Sequence, residues 1–162
     1  MMLLAAVLAG CSGEPDVVRE PGHAPDDSAF AALQERGGRA MGVDQYASTH
    51  RFDVLADGGR IELQRDDGDA ADVEAIRNHL RGIAAAFEAG DFRTPAAVHA
   101  MAVPGTDVMA ERREHIRYLY ADLPRGGEVR IVTDDGPALE AIHEFIGFQR
   151  SDHRAGGHTH GH

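Results

Sequence analysis

The chain has 162 residues, enough for one domain with a real core and too few for two comfortable ones. Its 43% hydrophobic and 27% charged residues are the mix of a globular protein. With 27 acidic against 16 basic residues the formal charge is −11, which argues against nucleic acid or an anionic membrane surface as partner and leaves divalent cations and basic partners open.

Residues 1–9, MMLLAAVLA, form an apolar run too short to span a hydrocarbon core and of the size of a signal-peptide apolar segment. Leu8-Ala9-Gly10-Cys11 resembles the bacterial lipoprotein box, in which small residues suit a peptidase cleft and the cysteine thiol takes the lipid. The resemblance implies a signal segment at 1–10, an acylated Cys11 and a lipid-anchored place in the bacterial cell envelope, on its periplasmic or extracellular face. The alternative is a secreted chain in which the cysteine is incidental. No Lys or Arg precedes the apolar run, which points to a true start further upstream. Cys11 is the only cysteine, so an internal disulfide or a cysteine-built zinc site is not available, and a lipidated Cys11 leaves no thiol for catalysis.

Residues 11–27 are rich in Pro, Gly, Asp and Glu and are expected to form a flexible tether. A single α+β domain is expected over 28–153, opening with a short helix that Ser28 caps and that Gly37 and Gly38 weaken. Inside the domain two stretches repeat, at about 48–88 and 116–152. Aligned on Gly58-Gly59 and Gly126-Gly127, Ile61 and Leu63 match Val129 and Ile131, and Asp66-Asp67-Gly68 matches Asp134-Asp135-Gly136. Two residues shorter from there, Val73-Glu74-Ala75-Ile76 matches Leu139-Glu140-Ala141-Ile142. Convergence on a common strand–strand–helix pattern is the competing explanation.

Each copy predicts two strands joined by a tight turn, then a helix. Ile61 and Leu63 alternate with Arg60, Glu62 and Gln64, as in a strand with one wet face. Asp57-Gly58 is a hairpin signal, and Pro124 suits a turn corner. Val73, Ile76, Leu80, Ile83 and Phe87 fall at helical spacing, as do Leu139, Ile142, Phe145 and Ile146. Four half-wet strands and two amphipathic helices predict a four-stranded antiparallel sheet with both helices on one face, related by a pseudo-twofold axis. The connection between the copies predicts one short helix near 107–113. The tail from Arg154 is low in complexity and expected to be disordered.

Ten histidines are present, five of them at 50, 79, 99, 115 and 143. Imidazole binds borderline metals through a neutral nitrogen, so a transition-metal site here would be built from histidine and carboxylate. His79, His99 and His143 are the candidate ligands within the domain, with His158, His160 and His162 of the tail as an accessory chelator of copper, zinc or nickel. Surface and structural roles compete with that reading: His79 flanks an apolar stripe, where a backbone carbonyl would satisfy it, and His153 lies where a helix frays. No phosphate loop or nucleophile elbow is visible, and Ser48-Thr49-His50-Arg51 offers a hydroxyl beside an imidazole without base geometry.

The stretches MGVDQYASTHRF at 41–52, LPRGGEVRI at 123–131 and AIHEFIGFQRSDHR at 141–154 resemble an uncharacterised family of bacterial exported proteins, which implies export and no particular activity. The first expectation is thus a non-enzymatic envelope lipoprotein, held at the membrane through Cys11, that binds a transition metal through histidines. The second is an interaction or envelope-assembly module working with a protein partner or as a homodimer. The third is a small hydrolase or isomerase.

Overall fold

The computed structural model describes residues 27–155. Cys11, the tether ahead of residue 27 and the tail histidines His158, His160 and His162 lie outside the described residues. The described residues form an α+β fold with five α-helices and one four-stranded antiparallel sheet. Helix α1 (Asp27–Met41) leads through a 3-10 turn (Gln45–Ala47) into the hairpin of β1 (Ser48–Leu55) and β2 (Gly58–Arg65), followed by α2 (Ala70–Glu88). Two short helices, α3 (Arg93–His99) and α4 (Thr106–Glu111), and a second 3-10 turn (Arg113–His115) precede the hairpin of β3 (Ile116–Leu123) and β4 (Gly126–Thr133). Helix α5 (Gly136–Asp152) closes the domain. None of the described helices is long and apolar enough to cross a membrane.

The strand order is β1-β2-β4-β3, with all neighbours antiparallel. Both central strands alternate as their sequences predict: Ile61, Leu63, Val129 and Ile131 are buried, while Arg60, Glu62, Glu128 and Arg130 are only partly covered. On the buried side, α2 packs mainly across β3 and β4, and α5 mainly across β1 and β2. Ile76, Leu80, Ile83 and Phe87 of α2 meet Ile142, Phe145 and Ile146 of α5 in one core, and Val73 is buried in the first turn of α2. Both helices start on an aspartate cap. Asp69 accepts from the amides of Ala71 and Asp72, and Asp135 accepts from that of Ala138, with Pro137 in the first turn.

The double glycines lie in the strands. The turn corners are Ala56-Asp57 and Pro124-Arg125, and Gly58 and Gly126 pair directly with Leu55 and Leu123. What requires glycine is the crossing of β2 and β4. A Cβ on Gly58 would strike the carbonyl oxygen of Ile131, and one on Gly126 would strike that of Leu63. At Gly58 the φ of 145° adds a second requirement, because residues with a Cβ rarely adopt it.

Three local expectations are corrected. Helix α1 starts at Asp27, so Ser28 lies inside its first turn and is not its cap, and the helix continues through Gly37 and Gly38 to Met41. Gly37 is there for space, since a Cβ on it would lie 2.9 Å from Oε1 of Gln45. The connection between the hairpins holds two short helices instead of one; α3 contains Pro95 and has too few residues to set up an apolar period.

Candidate functional site

A cavity of about 90 Å³ lies between the sheet and the helices α1, α2, α3 and α5. Its wall is largely apolar, with Phe52, Leu80, Ile83 and Phe145, and it is interrupted by four imidazoles, His50, His79, His99 and His153. Each comes from a different element. His50 stands on β1, His79 on α2 and His99 at the last position of α3, while His153 follows the end of α5. Gln45, from the 3-10 turn after α1, and Gln149, from α5, add two carboxamides. Both glutamines are buried, at 5% and 4% exposure.

The rings touch. His50 and His153 lie nearly parallel with centroids 5.5 Å apart, and His99 meets His153 edge-on at 5.1 Å. Phe52 tilts against His153 at 5.4 Å. Burial lowers the pKa of His50 and of His79. It pushes that of His153 down to about 3, helped by the neighbouring His50 and His99. At neutral pH these three rings are uncharged.

His99 is held differently. Its Nδ1 donates to Oδ2 of Asp152 at 2.5 Å, and its Nε2 lies 2.9 Å from the amide oxygen Oε1 of Gln149. The partner beyond the ring is thus a carboxamide, where a hydrolase would carry its hydroxyl nucleophile. The hydroxyls beside His50 are also engaged elsewhere: Ser48 Oγ donates to the carbonyl of Asp44 at 3.0 Å, and Thr49 Oγ1 to Oδ1 of Asp66 at 2.7 Å.

Of the three histidines singled out by sequence within the domain, His79 and His99 border the cavity and His143 does not. His143 donates from Nε2 to the carbonyl of Leu55 at 2.9 Å, a bond between α5 and the tip of the first hairpin. His79 has a hydrogen bond with the backbone of Ala40. Among the described residues no three His, Cys, Asp or Glu side chains stand close enough together to hold a metal ion. Sequence reasoning missed His50, His153 and Gln45 as site residues.

Two atoms at the cavity are buried without a hydrogen-bond partner among the described residues, Nε2 of Gln45 and Nδ1 of His153. Buried polar groups are nearly always paired, so each such atom calls for an ordered water or a ligand; Oε1 of Gln34 and the hydroxyl of Tyr118, away from the cavity, are buried in the same way. A shallower groove adjoins the cavity and shares Ala40, His79, Ile83 and Thr94 with it. Its outer rim carries Asn78 and the Asp91–Arg93 ion pair, whose atoms are 2.6 Å apart.

Comparison of the chain with protein-family models, with curated proteins and with solved structures gives no match.

Proposed function

We propose that the chain is a non-enzymatic, lipid-anchored binding protein of the bacterial envelope, built from a tandem ββα repeat about a pseudo-twofold axis. Its working part is the histidine-lined cavity. Support for the repeat comes from positions. Ser48 and Ile116 open β1 and β3, and Gly58 and Gly126 open β2 and β4; each pair is 68 positions apart, as are Gln45 and Arg113 at the two 3-10 turns. The central register pairs Ile61 with Val129, residues that are themselves 68 apart, as an axis passing between them requires. Helices α2 and α5 begin 66 positions apart, at Ala70 and Gly136.

The single observation that carries the binding site is where the two halves differ. By these offsets His50 corresponds to Tyr118, and His153 to Phe87. Beside the second hairpin Phe87 and Tyr118 pack edge-on with centroids 5.8 Å apart, inside an aromatic cluster that also holds Phe92 and Phe145. Beside the first hairpin the same two places hold imidazoles next to a cavity. Packing alone would favour the aromatic solution beside both hairpins. A partly desolvated imidazole costs stability, and such costs collect at functional sites.

The test is to give the surroundings of the first hairpin the residues found beside the second. The double variant His50→Tyr with His153→Phe is expected to unfold at higher denaturant, a gain of about 1–2 kcal/mol. A loss of stability would mean that the histidines serve the fold, and the site reading would fail. Transition-metal capture is the second reading, favoured by four imidazoles around one space. Titration with 2-butanol and with Zn(II) or Cu(I) separates the two.

A further inference from the structure

Resting on the cavity as the binding site, we propose that it takes an uncharged organic molecule whose buried end is a small apolar group bearing one hydroxyl, the rest of the molecule leaving through the adjoining groove. Size sets the first limit. An apolar cavity of about 150 Å³ holds the six carbons of benzene, so about 90 Å³ takes about four heavy atoms. The groove that shares His79 and Thr94 with the cavity gives a larger ligand its exit.

Charge sets the second limit. The cavity wall contains no Asp, Glu, Lys or Arg, and the nearby carboxylate of Asp152 is already engaged by His99. The His50, His79 and His153 rings are held neutral by burial. An ionic ligand would lose its hydration there without gaining a countercharge.

The unpartnered atoms set the third. Nε2 of Gln45 can only donate. Nδ1 of His153 offers its lone pair when the proton sits on the other ring nitrogen. Both residues line the cavity, and a hydroxyl can accept from an amide and donate to an imidazole lone pair, whereas a carbonyl can do only the first. The site is built for the amide as well, because Gly37 of α1 leaves the room that the Gln45 side chain occupies.

The experiment uses the full chain, with the ring resonances of His50 and His153 and the side-chain amide of Gln45 followed by NMR. The probe is 2-butanol. Saturable shifts at these three residues are expected, with butanone weaker by about fivefold for the missing hydrogen bond. Isobutyrate and sec-butylammonium should leave the resonances unmoved. His153→Phe is expected to abolish the 2-butanol response, and Gln45→Leu to erase the preference for 2-butanol over butanone. Absence of saturable shifts with 2-butanol overturns the proposal and leaves water alone in the cavity. Equal responses to the two ions also overturn it. Stoichiometric shifts of His50 and His153 with Zn(II) or Cu(I) and none with 2-butanol assign the cavity to a metal instead. If the Tyr/Phe double variant gains stability while 2-butanol stays silent, only the ligand class falls and the site stands.

Discussion

His153 has a consequence for stability that depends on pH. An exposed imidazole titrates near 6.5, and in the folded chain burial, then His50 and His99, hold this one at about 3. As pH falls below about 6.5 the unfolded chain takes up a proton that the folded chain refuses, so protonation favours unfolding. Stability from this group is therefore complete above about 6.5 and drains away toward about 3. His50 and His79, also lowered by burial, act in the same direction. The urea midpoint should fall between about pH 7 and about pH 5, and His153→Phe should flatten much of that fall. An unchanged slope in the variant would show that His153 is hydrated in solution. None of this was legible in the sequence, for a local reason. His50 reads as a strand residue and His153 as a fraying helix end, each with an adequate explanation within its own segment, and Gln45 carries no signal of its own. The available signal was the mismatch between the two similar stretches, histidine on one side and aromatic on the other, and it becomes visible only once the strands and helices are offset separately.

At the scale of elements, β2 and β4 approach so closely that glycine is needed twice. Gly58→Ala and Gly126→Ala each drive a methyl group into a backbone carbonyl of the neighbouring strand, at Ile131 and Leu63. Each is expected to cost about 2 kcal/mol or more, measured by chemical denaturation. Gly147→Ala provides the contrast. Nothing lies within 4 Å of a Cβ built there, the position is exposed and mid-helix, and a gain of about 0.5–1 kcal/mol is expected. Equal effects at all three would contradict the close strand crossing. The four strands and the helices α2 and α5 were readable because alternation and helical spacing carry direct information about which face is covered. The glycines were readable as important but were assigned to the wrong task. A hairpin turn and a strand crossing both favour glycine, and only the register distinguishes them. Helix α3 stayed hidden for want of length: a seven-residue helix has no apolar repeat to show, and its ends are set by tertiary contacts such as His99 with Asp152.

For the whole molecule, the expected place in the envelope turns on Cys11. Replacement of Cys11 by Ser is expected to move the chain from the detergent-extracted membrane fraction to the soluble one and to abolish labelling by a fatty-acid analogue. Unchanged partition would leave the binding site intact as a reading and remove the anchor. The outer face of the sheet bears on partners. Arg60 reaches Asp53 at 2.5 Å and stands within 3.7 Å of both Glu62 and Glu128, and Arg130 reaches Asp57 at 2.5 Å. That face meets its surroundings as a mesh of mixed charge, with Leu119 an exposed apolar residue upon it.

The first hairpin takes most of its roof from α5, the last described element, and the second takes much of its roof from α2, made long before it. A chain drawn N-terminus first through any narrow passage therefore cannot lock behind itself. Its opening hairpin stays bare until the final turn of α5 has come through, and only then do both ends close together.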